Sequence, residues 1–398
     1  MHSLCRCSLV SVVLACLAFR ASAQRADGPA GWDAFVRSFD AYCQADSVVG
    51  ASALFVRDGR VIAWHSRGMG DRERGERVDT NTIFHWGSIT KTLTAVAIMQ
   101  LRDRGRLTLD DRVTNYIPDL RQVHNPFGSM DGITIRMLLS HTSGLQNPTW
   151  PWDTGQEWEP FEPTRWEQLV SMMPYMRIHF APGSRYGYSN PAFIYLARII
   201  EQLSGDPWSH YVQKNILTPL GLTRSYFGGT PYHLERYRSN NYYVRDDSAG
   251  RVRVKANGRD FDPGITIPNG GWNAPLGDLA TYAAFLTNSS LGDTARARLF
   301  DVVLRRATLE EMWRAVAPDS DGKKGDAVGL SFFIHPRGEA TIIGHTGSQA
   351  GFRAFLYFNP KSRNAVIAAY NTSNYSRSAA TAASSQVIEL ARGLLVKQ

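Results

Sequence analysis

The hydrophobic positions of this chain follow two periods, one at each end and one in the middle. Near the start, Trp32, Phe35, Val36, Phe39 and Tyr42 recur at helical spacing and predict an amphipathic helix over Gly31 to Ala45, with Cys43 in its core face. Val48 to Arg57 and Arg60 to His65 are β-rich runs separated by Asp58-Gly59, a two-residue hairpin signal. Gly68 to Gly75 alternates charges without a G-x-G-x-x-G spacing and reads as a solvated turn rather than a nucleotide loop. From Gly329 onward short strands return: Gly329 to His335, Thr341 to Gly344, Phe352 to Phe358 and Asn364 to Tyr370, before a closing helix over Ser384 to Val396.

Between these ends the pattern is mostly helical. Helices are expected over Ala192 to Leu203, Pro207 to Leu217, Leu276 to Leu286 and Thr308 to Val316, while residues 223–263 are polar and show no readable period. Pro148 to Trp166 carries five aromatic residues among prolines and acids, which excludes a regular helix or central strand. It reads equally as an aromatic lid or as a surface loop pinned by its own rings. The predicted fold class is therefore α/β (α+β), with an antiparallel sheet flanked by helices. Sheet regions at about 24–80 and 326–398 come together around a mostly helical inserted region at about 81–325, all in one domain over 24–398.

One stretch does not fit a purely structural reading. Phe84 to Leu101, FHWGSITKTLTAVAIMQL, is a turn running into a helix apolar on most sides, so the helix is expected to be buried. It nevertheless holds Lys91. Ser88 and Lys91 stand three apart and share a helix face, which puts an amine within reach of a hydroxyl. Only 7 of the 44 basic residues are lysine, and Lys91 precedes all the others. A guanidinium cannot take a proton from serine, whereas burial can lower an ammonium pKa until it acts as a base. A second S-x-x-K match, Ser320 to Lys323, lies in a polar, Gly-flanked loop without helical period.

Composition narrows the field. With 398 residues and 43% apolar content the chain can build a large core. Arg6, the apolar run Leu9 to Phe19 and Ala21-Ser22-Ala23 form the pattern of a cleavable signal peptide at 1–23, too short to span a bilayer, so the mature chain is expected to be exported to the periplasm or medium without a transmembrane anchor. A lipoprotein reading on Val13 to Cys16 is weakened by Leu14. Cys5, Cys7 and Cys16 fall inside that leader, leaving Cys43 alone. The net charge of +8 is spread without a basic block, so no nucleic acid is expected, although it suits work near an anionic cell wall. The histidines are scattered, with no H-E-x-x-H or Cys/His cluster; no metal or cofactor is expected, and no G-x-S-x-G elbow is present.

After Ser88-Ile89-Thr90-Lys91 come Tyr188-Ser189-Asn190 and His345-Thr346-Gly347, in the order of the S-x-x-K, S-D-N and K-T-G motifs. On these motifs the chain resembles the β-lactamase and penicillin-binding serine hydrolase superfamily, in the branch of class C β-lactamases, D-Ala-D-Ala carboxypeptidases, esterases and D-aminopeptidases. Leu139 to Leu145 and Asn269 to Phe285 add to the likeness, which covers about residues 30–395. Y-S-N with H-T-G is more similar to the carboxypeptidase and esterase members than to class C enzymes, which carry K-T-G. The resemblance implies a β-lactamase/transpeptidase-like fold and an acyl-enzyme on Ser88. Lys91 or Tyr188, the latter held as a phenolate between cations, would be the base. Asn190, His345, Thr346 and Gly347 would bind substrate, and the backbone N–H groups of Ser88 and Ser348 would form the oxyanion hole. Expected partners are a small peptide, ester or β-lactam, with peptidoglycan a candidate.

Where lysine is usual, His345 supplies less fixed positive charge for a substrate carboxylate, which counts against efficient β-lactam hydrolysis. Class C-like β-lactamase activity is the alternative, and a catalytically silent penicillin-sensing or wall-binding protein the second. Other matches read as structural. Tyr357-Phe358-Asn359 fits Y-x-N on a strand, His141-Thr142-Ser143-Gly144 echoes H-T-G in a loop and is assigned to packing, and Glu167 and Glu201 read as solvated helix-face residues.

Overall fold

A computed structural model describes residues 28–145, 163–247, 252–260, 264–320, 322–349, 351–374 and 378–396. The leader at 1–23, and the aromatic stretch from Pro148 as far as residue 162, lie outside the described residues.

The central sheet has nine strands: β1 (Gly50–Arg57), β2 (Arg60–Asp71), β3 (Glu76–Arg77), β4 (Ala317–Pro318), β5 (Ala327–Val328), β6 (Phe333–Arg337), β7 (Ala340–Gln349), β8 (Phe352–Asn359) and β9 (Asn364–Tyr370). Their order is β3-β2-β1-β9-β8-β7-β6-β5-β4, antiparallel at every pairing. Asp58 and Gly59 both take positive φ, +48° and +79°, the conformation a two-residue hairpin requires, and Arg57 faces Arg60 across it. β1 then pairs with β9, Ala51 opposite Tyr370, so the two ends of the chain meet in the middle of the sheet.

β1 is buried from Gly50 to Val56 because both of its faces are covered. Leu54 and Val56 enter the larger core toward the helical region; Ala51, Ala53 and Phe55 enter a second core with Phe35 and Phe39 of helix α1 (Trp32–Ala45). The closing helix, Ser378–Leu394, adds Val387 and Ala391 to that second core and starts six residues earlier than the apolar period indicated. β2 also outruns its prediction: Gly68 to Asp71 is strand, and only the residues after it turn. The acidic end is compatible with pairing because the buried Asp71 carboxylate accepts from Arg259 at 2.9 and 2.8 Å.

Helix α2 (Thr90–Asp103) is the axis of the larger core, with Leu93, Val96, Ile98 and Met99 fully enclosed. Burying each such side chain contributes about 1.5–3 kcal/mol before the entropy of ordering is counted. It packs on α3 (Pro191–Ser204) and on the short turn Ile267–Gly270, while α4 (Leu276–Leu286) lies across β1 and β9. Two small sheets complete the frame. Ile83–His85 pairs with Trp272–Pro275, which also pairs with Tyr226–Phe227; Asn241–Asp246 pairs with Val252–Gly258 and with Thr372–Asn374. The expected helix at Thr308 to Val316 is shorter and earlier, Arg306–Glu311, and gives way to β4 at Ala317.

Candidate active site

Ser88 sits in a single 3-10 turn, Gly87–Ile89, that leads straight into α2. The turn is anchored from two sides. Trp86 donates its backbone N–H to the Trp272 carbonyl at 2.9 Å and its indole N–H to the Ala274 carbonyl at 2.9 Å. The Thr90 hydroxyl donates to the Gly87 carbonyl at 2.6 Å and accepts from the Trp272 N–H at 3.0 Å. The turn also lies directly against β7. A side chain at Gly347 would put its Cβ 2.0 Å from the Trp86 carbonyl oxygen, and one at Gly87, where φ is +50°, would meet the Ser348 nitrogen at 2.9 Å. Glycine at both positions is what lets the serine turn and the strand touch.

Lys91 is fully buried. Its Nζ is 3.0 Å from Ser88 Oγ and 2.7 Å from the Asn269 carbonyl oxygen. The rings of Tyr188 and Phe193 lie 5.0 and 5.6 Å away. Burial holds the pKa of this amine well below the usual lysine value. A neutral amine that donates to the Asn269 carbonyl keeps its lone pair for the Ser88 hydroxyl proton.

Tyr188 stands on the other side of the serine, its phenol hydrogen-bonded to the Ser88 side chain. Burial raises the phenol pKa and outweighs the opposing effect of that bond, so the group is a neutral phenol. In the resting site burial therefore disfavours the phenolate form considered from sequence, despite the Ser88 hydrogen bond. Asn190 heads α3 and lines the same cavity, and its carbonyl receives the Asn269 side-chain amide at 3.5 Å.

His345, Thr346 and Ser348 of β7 face a cavity of about 730 Å³ shared with Ser88, Tyr188 and Asn190. His345 is buried, with Nδ1 2.5 Å from the Thr346 carbonyl oxygen, and burial pushes its pKa down to about 3. It is an uncharged imidazole. The register of β6 on β7 ends at Phe333 opposite Gly344, so from His345 on that edge of β7 has no strand partner among the described residues. Phe333 packs edge-on against His345 at 5.1 Å and, with Tyr186, walls the cavity.

The structure thus gathers Ser88, Lys91, Tyr188, Asn190, His345, Thr346 and Ser348 at one cavity, with Gly347 against the serine turn. Of the matches rejected from sequence, Tyr357 and Lys323 of the second S-x-x-K also line this cavity, and His141 touches Tyr188. Tyr357 is a core residue whose hydroxyl accepts from Arg392 at 2.9 Å. Glu167 is exposed, and Glu201 is occupied by Arg198 and the Trp208 N–H. Sequence reasoning missed two groups: the Asn269 carbonyl, a backbone atom with no side-chain signature, and His141, whose ring stacks on Tyr188 at 4.3 Å.

A fold of this kind, with a serine turn and buried lysine between sheet and helices, defines a class of serine hydrolases. The chain belongs to the β-lactamase family, whose model, described as Beta-lactamase, matches residues 32–389. It is 22% identical over 328 residues to Protein flp of Staphylococcus aureus (strain NCTC 8325 / PS 47), covering 82% of this chain but only 60% of that longer protein. It is 30% identical over 255 residues to Esterase EstB of Burkholderia gladioli, covering 58% of this chain and 64% of the esterase. Among solved structures it is similar to the octameric penicillin-binding protein homologue from Pyrococcus abyssi, with 26% identity, a TM-score of 0.72, and coverage of 90% of this chain and 77% of the other. Among the described residues no helix is long and apolar enough to cross a membrane.

Proposed function

We propose that the protein is an exported serine hydrolase that works through an acyl-enzyme on D-amino-acid peptides or esters. The observation that carries this reading is the fully buried Lys91 amine 3.0 Å from Ser88 Oγ, its pKa lowered by that burial. Ser88 Oγ attacks the substrate carbonyl while Lys91 takes the hydroxyl proton, and the Tyr188 phenol passes a proton to the leaving group as the bond to it breaks. The Ser88 and Ser348 backbone N–H groups stabilise the oxyanion. Water then repeats the sequence in reverse order and frees Ser88. An extended substrate pairs with the open edge of β7, with Asn190 and Thr346 orienting it. Export rests on the leader pattern at 1–23, and peptidoglycan fragments are natural substrates for an exported protein of this kind.

The neutral His345 offers no fixed cation to a substrate carboxylate, which counts against efficient β-lactam hydrolysis and favours esters and peptide amides without a free carboxylate at that position. The test is covalent labelling with a fluorophosphonate and a labelled penicillin, followed by turnover of nitrocefin, a D-Ala-D-Ala peptide and p-nitrophenyl butyrate side by side. Labelling of the wild-type protein and none of Ser88→Ala is expected, with the peptide or ester turned over faster than nitrocefin. Dominant nitrocefin turnover would establish the β-lactamase reading instead. Folded wild-type protein that takes neither label would establish the catalytically silent one.

A further inference from the structure

His141 stands in a loop that the sequence assigned to packing, yet it makes three separate contacts with the segment carrying Tyr188. Its carbonyl accepts from the Gly187 N–H at 2.8 Å, and its Nδ1 accepts from the Ser189 N–H at 3.1 Å. Its ring stacks on the phenol ring between them, with centroids 4.3 Å apart and planes 27° apart. The residues on both sides of Tyr188 and its ring are thus held by one side chain and its own peptide. The imidazole is in turn fixed by Phe193, 5.2 Å away, and by the edge of Tyr186 at 6.1 Å.

The loop carries a cost for this arrangement. His141 has φ +56°, a region disfavoured for a residue with a Cβ, and it is wholly buried with Nε2 unpartnered. Because Nδ1 accepts, the ring proton is on Nε2, so a buried donor goes unused. A residue that only filled space here would be better served by an apolar side chain or, for the backbone, by glycine. Neither could accept from Ser189 and stack on Tyr188 at once.

We infer that His141 is a positioning residue for Tyr188: it fixes the phenol oxygen over Ser88 by clamping the backbone on both sides of the tyrosine and bracing its ring. This inference rests on the acyl-enzyme reading above. Displacing a reacting group by about 1 Å can lower a rate about 10²-fold, and binding contacts elsewhere in the cavity are untouched. The expected signature is therefore a fall in kcat with KM nearly constant.

The test is a double-mutant cycle on p-nitrophenyl butyrate turnover and on the rate of Ser88 phosphonylation. His141→Phe keeps a flat ring but loses the acceptor. His141→Asn suits positive φ and can still accept from Ser189, but loses the ring, so it provides a second variant if the first does not fold. Each is made alone and together with Tyr188→Phe. His141→Phe is expected to lose about 10²-fold in kcat, His141→Asn less, and neither to lose more than a few-fold further once Tyr188 is already Phe. Thermal melts establish that each variant compared is folded. Full loss in the Tyr188→Phe background, or wild-type kcat in a folded His141 variant, would overturn the inference. A wild-type protein that neither turns over the ester nor reacts with the phosphonate would instead overturn the parent reading.

Discussion

Lys91 Nζ and Ser88 Oγ lie 3.0 Å apart with no carboxylate among the described residues in contact with the amine, which donates to a backbone carbonyl at Asn269 instead. An acid beside this lysine would hold it as an ammonium. Burial without one lowers the pKa and favours the base form.

From this follows a pH dependence of definite sign. A base must be unprotonated to act, and the Lys91 pKa is depressed, so kcat/KM falls on the acid side, about tenfold per pH unit below the folded pKa, and this acid limb lies well below the range of an ordinary lysine. Lys91→Arg keeps a long cationic side chain but cannot give up its proton, and should lose about 10²–10⁴-fold in kcat. The pH profile with p-nitrophenyl butyrate checks both. An arginine variant within tenfold of wild type would remove Lys91 from the role of base.

Gly347→Ala tests the contact of β7 with the serine turn. The new Cβ would lie 2.0 Å from the Trp86 carbonyl oxygen, so strand and turn must separate. The expected cost is about 1–3 kcal/mol, with Ser88 labelling lost in the protein that still folds. Gly393→Ala, whose Cβ meets nothing within 4 Å, is the matching control and should melt at or above the wild-type temperature. Differential scanning calorimetry with active-site labelling distinguishes the two.

Thr90→Val removes one hydroxyl and leaves the Gly87 carbonyl and the Trp272 N–H without it, both in the buried wall behind the nucleophile. Each buried group left unsatisfied costs about 1–3 kcal/mol. Chemical denaturation should show the loss, and the acylation rate should drop because the same bonds set the angle of the turn.

Acid should destabilise the fold through its buried histidines from about pH 6.5 downward. His85 and His335 are held at a pKa of about 4, His345 at about 3, and His141 well below its usual 6.5, in each case chiefly by burial. The unfolded chain binds protons at these sites from about pH 6.5 downward, while the folded chain refuses them until about pH 4 at His85 and His335 and about pH 3 at His345. Stability is thus complete above pH 6.5 and lost as pH falls through that window, by up to about 1.4 kcal/mol per pH unit for each imidazole. Asp326, pushed down to about 2 by Arg337 and His335 against the opposing effect of burial, adds its loss only at lower pH. Melting temperatures at pH 7.5, 6 and 5 give the measurement, and a flat series would contradict the neutral-histidine description.

The sequence was most legible where one side chain carries both structure and chemistry. Ser88 and Lys91 announced themselves by spacing, by the scarcity of lysine and by the apolar helix around them, and in the structure the two side chains lie 3.0 Å apart at the start of a buried helix. Asp58-Gly59 was equally plain because a hairpin of that length demands positive φ. The carbonyl of Asn269 was invisible, since any residue has a carbonyl and only the fold decides which one meets Lys91. His141 was visible as a letter but not as a function, because stacking on a residue 47 positions later is a tertiary fact. The hairpin Asn241–Asp246 with Val252–Gly258 was overlooked although Val252-Arg253-Val254-Lys255 alternates strictly; its tyrosine- and arginine-rich surroundings obscured the period.

The pairing of β1 with β9 has a consequence for how the molecule comes into being. The strand made early must wait for one made almost last, and until Tyr370 is available opposite Ala51 the sheet is two unconnected pieces. Joining segments so far apart closes a very long loop, which slows assembly more than it weakens the finished fold. β7, which completes the pocket around Ser88, belongs to the late piece. The nucleophile therefore has no reactive surroundings in a growing or unfolded chain and acquires them only when the whole polypeptide has come together.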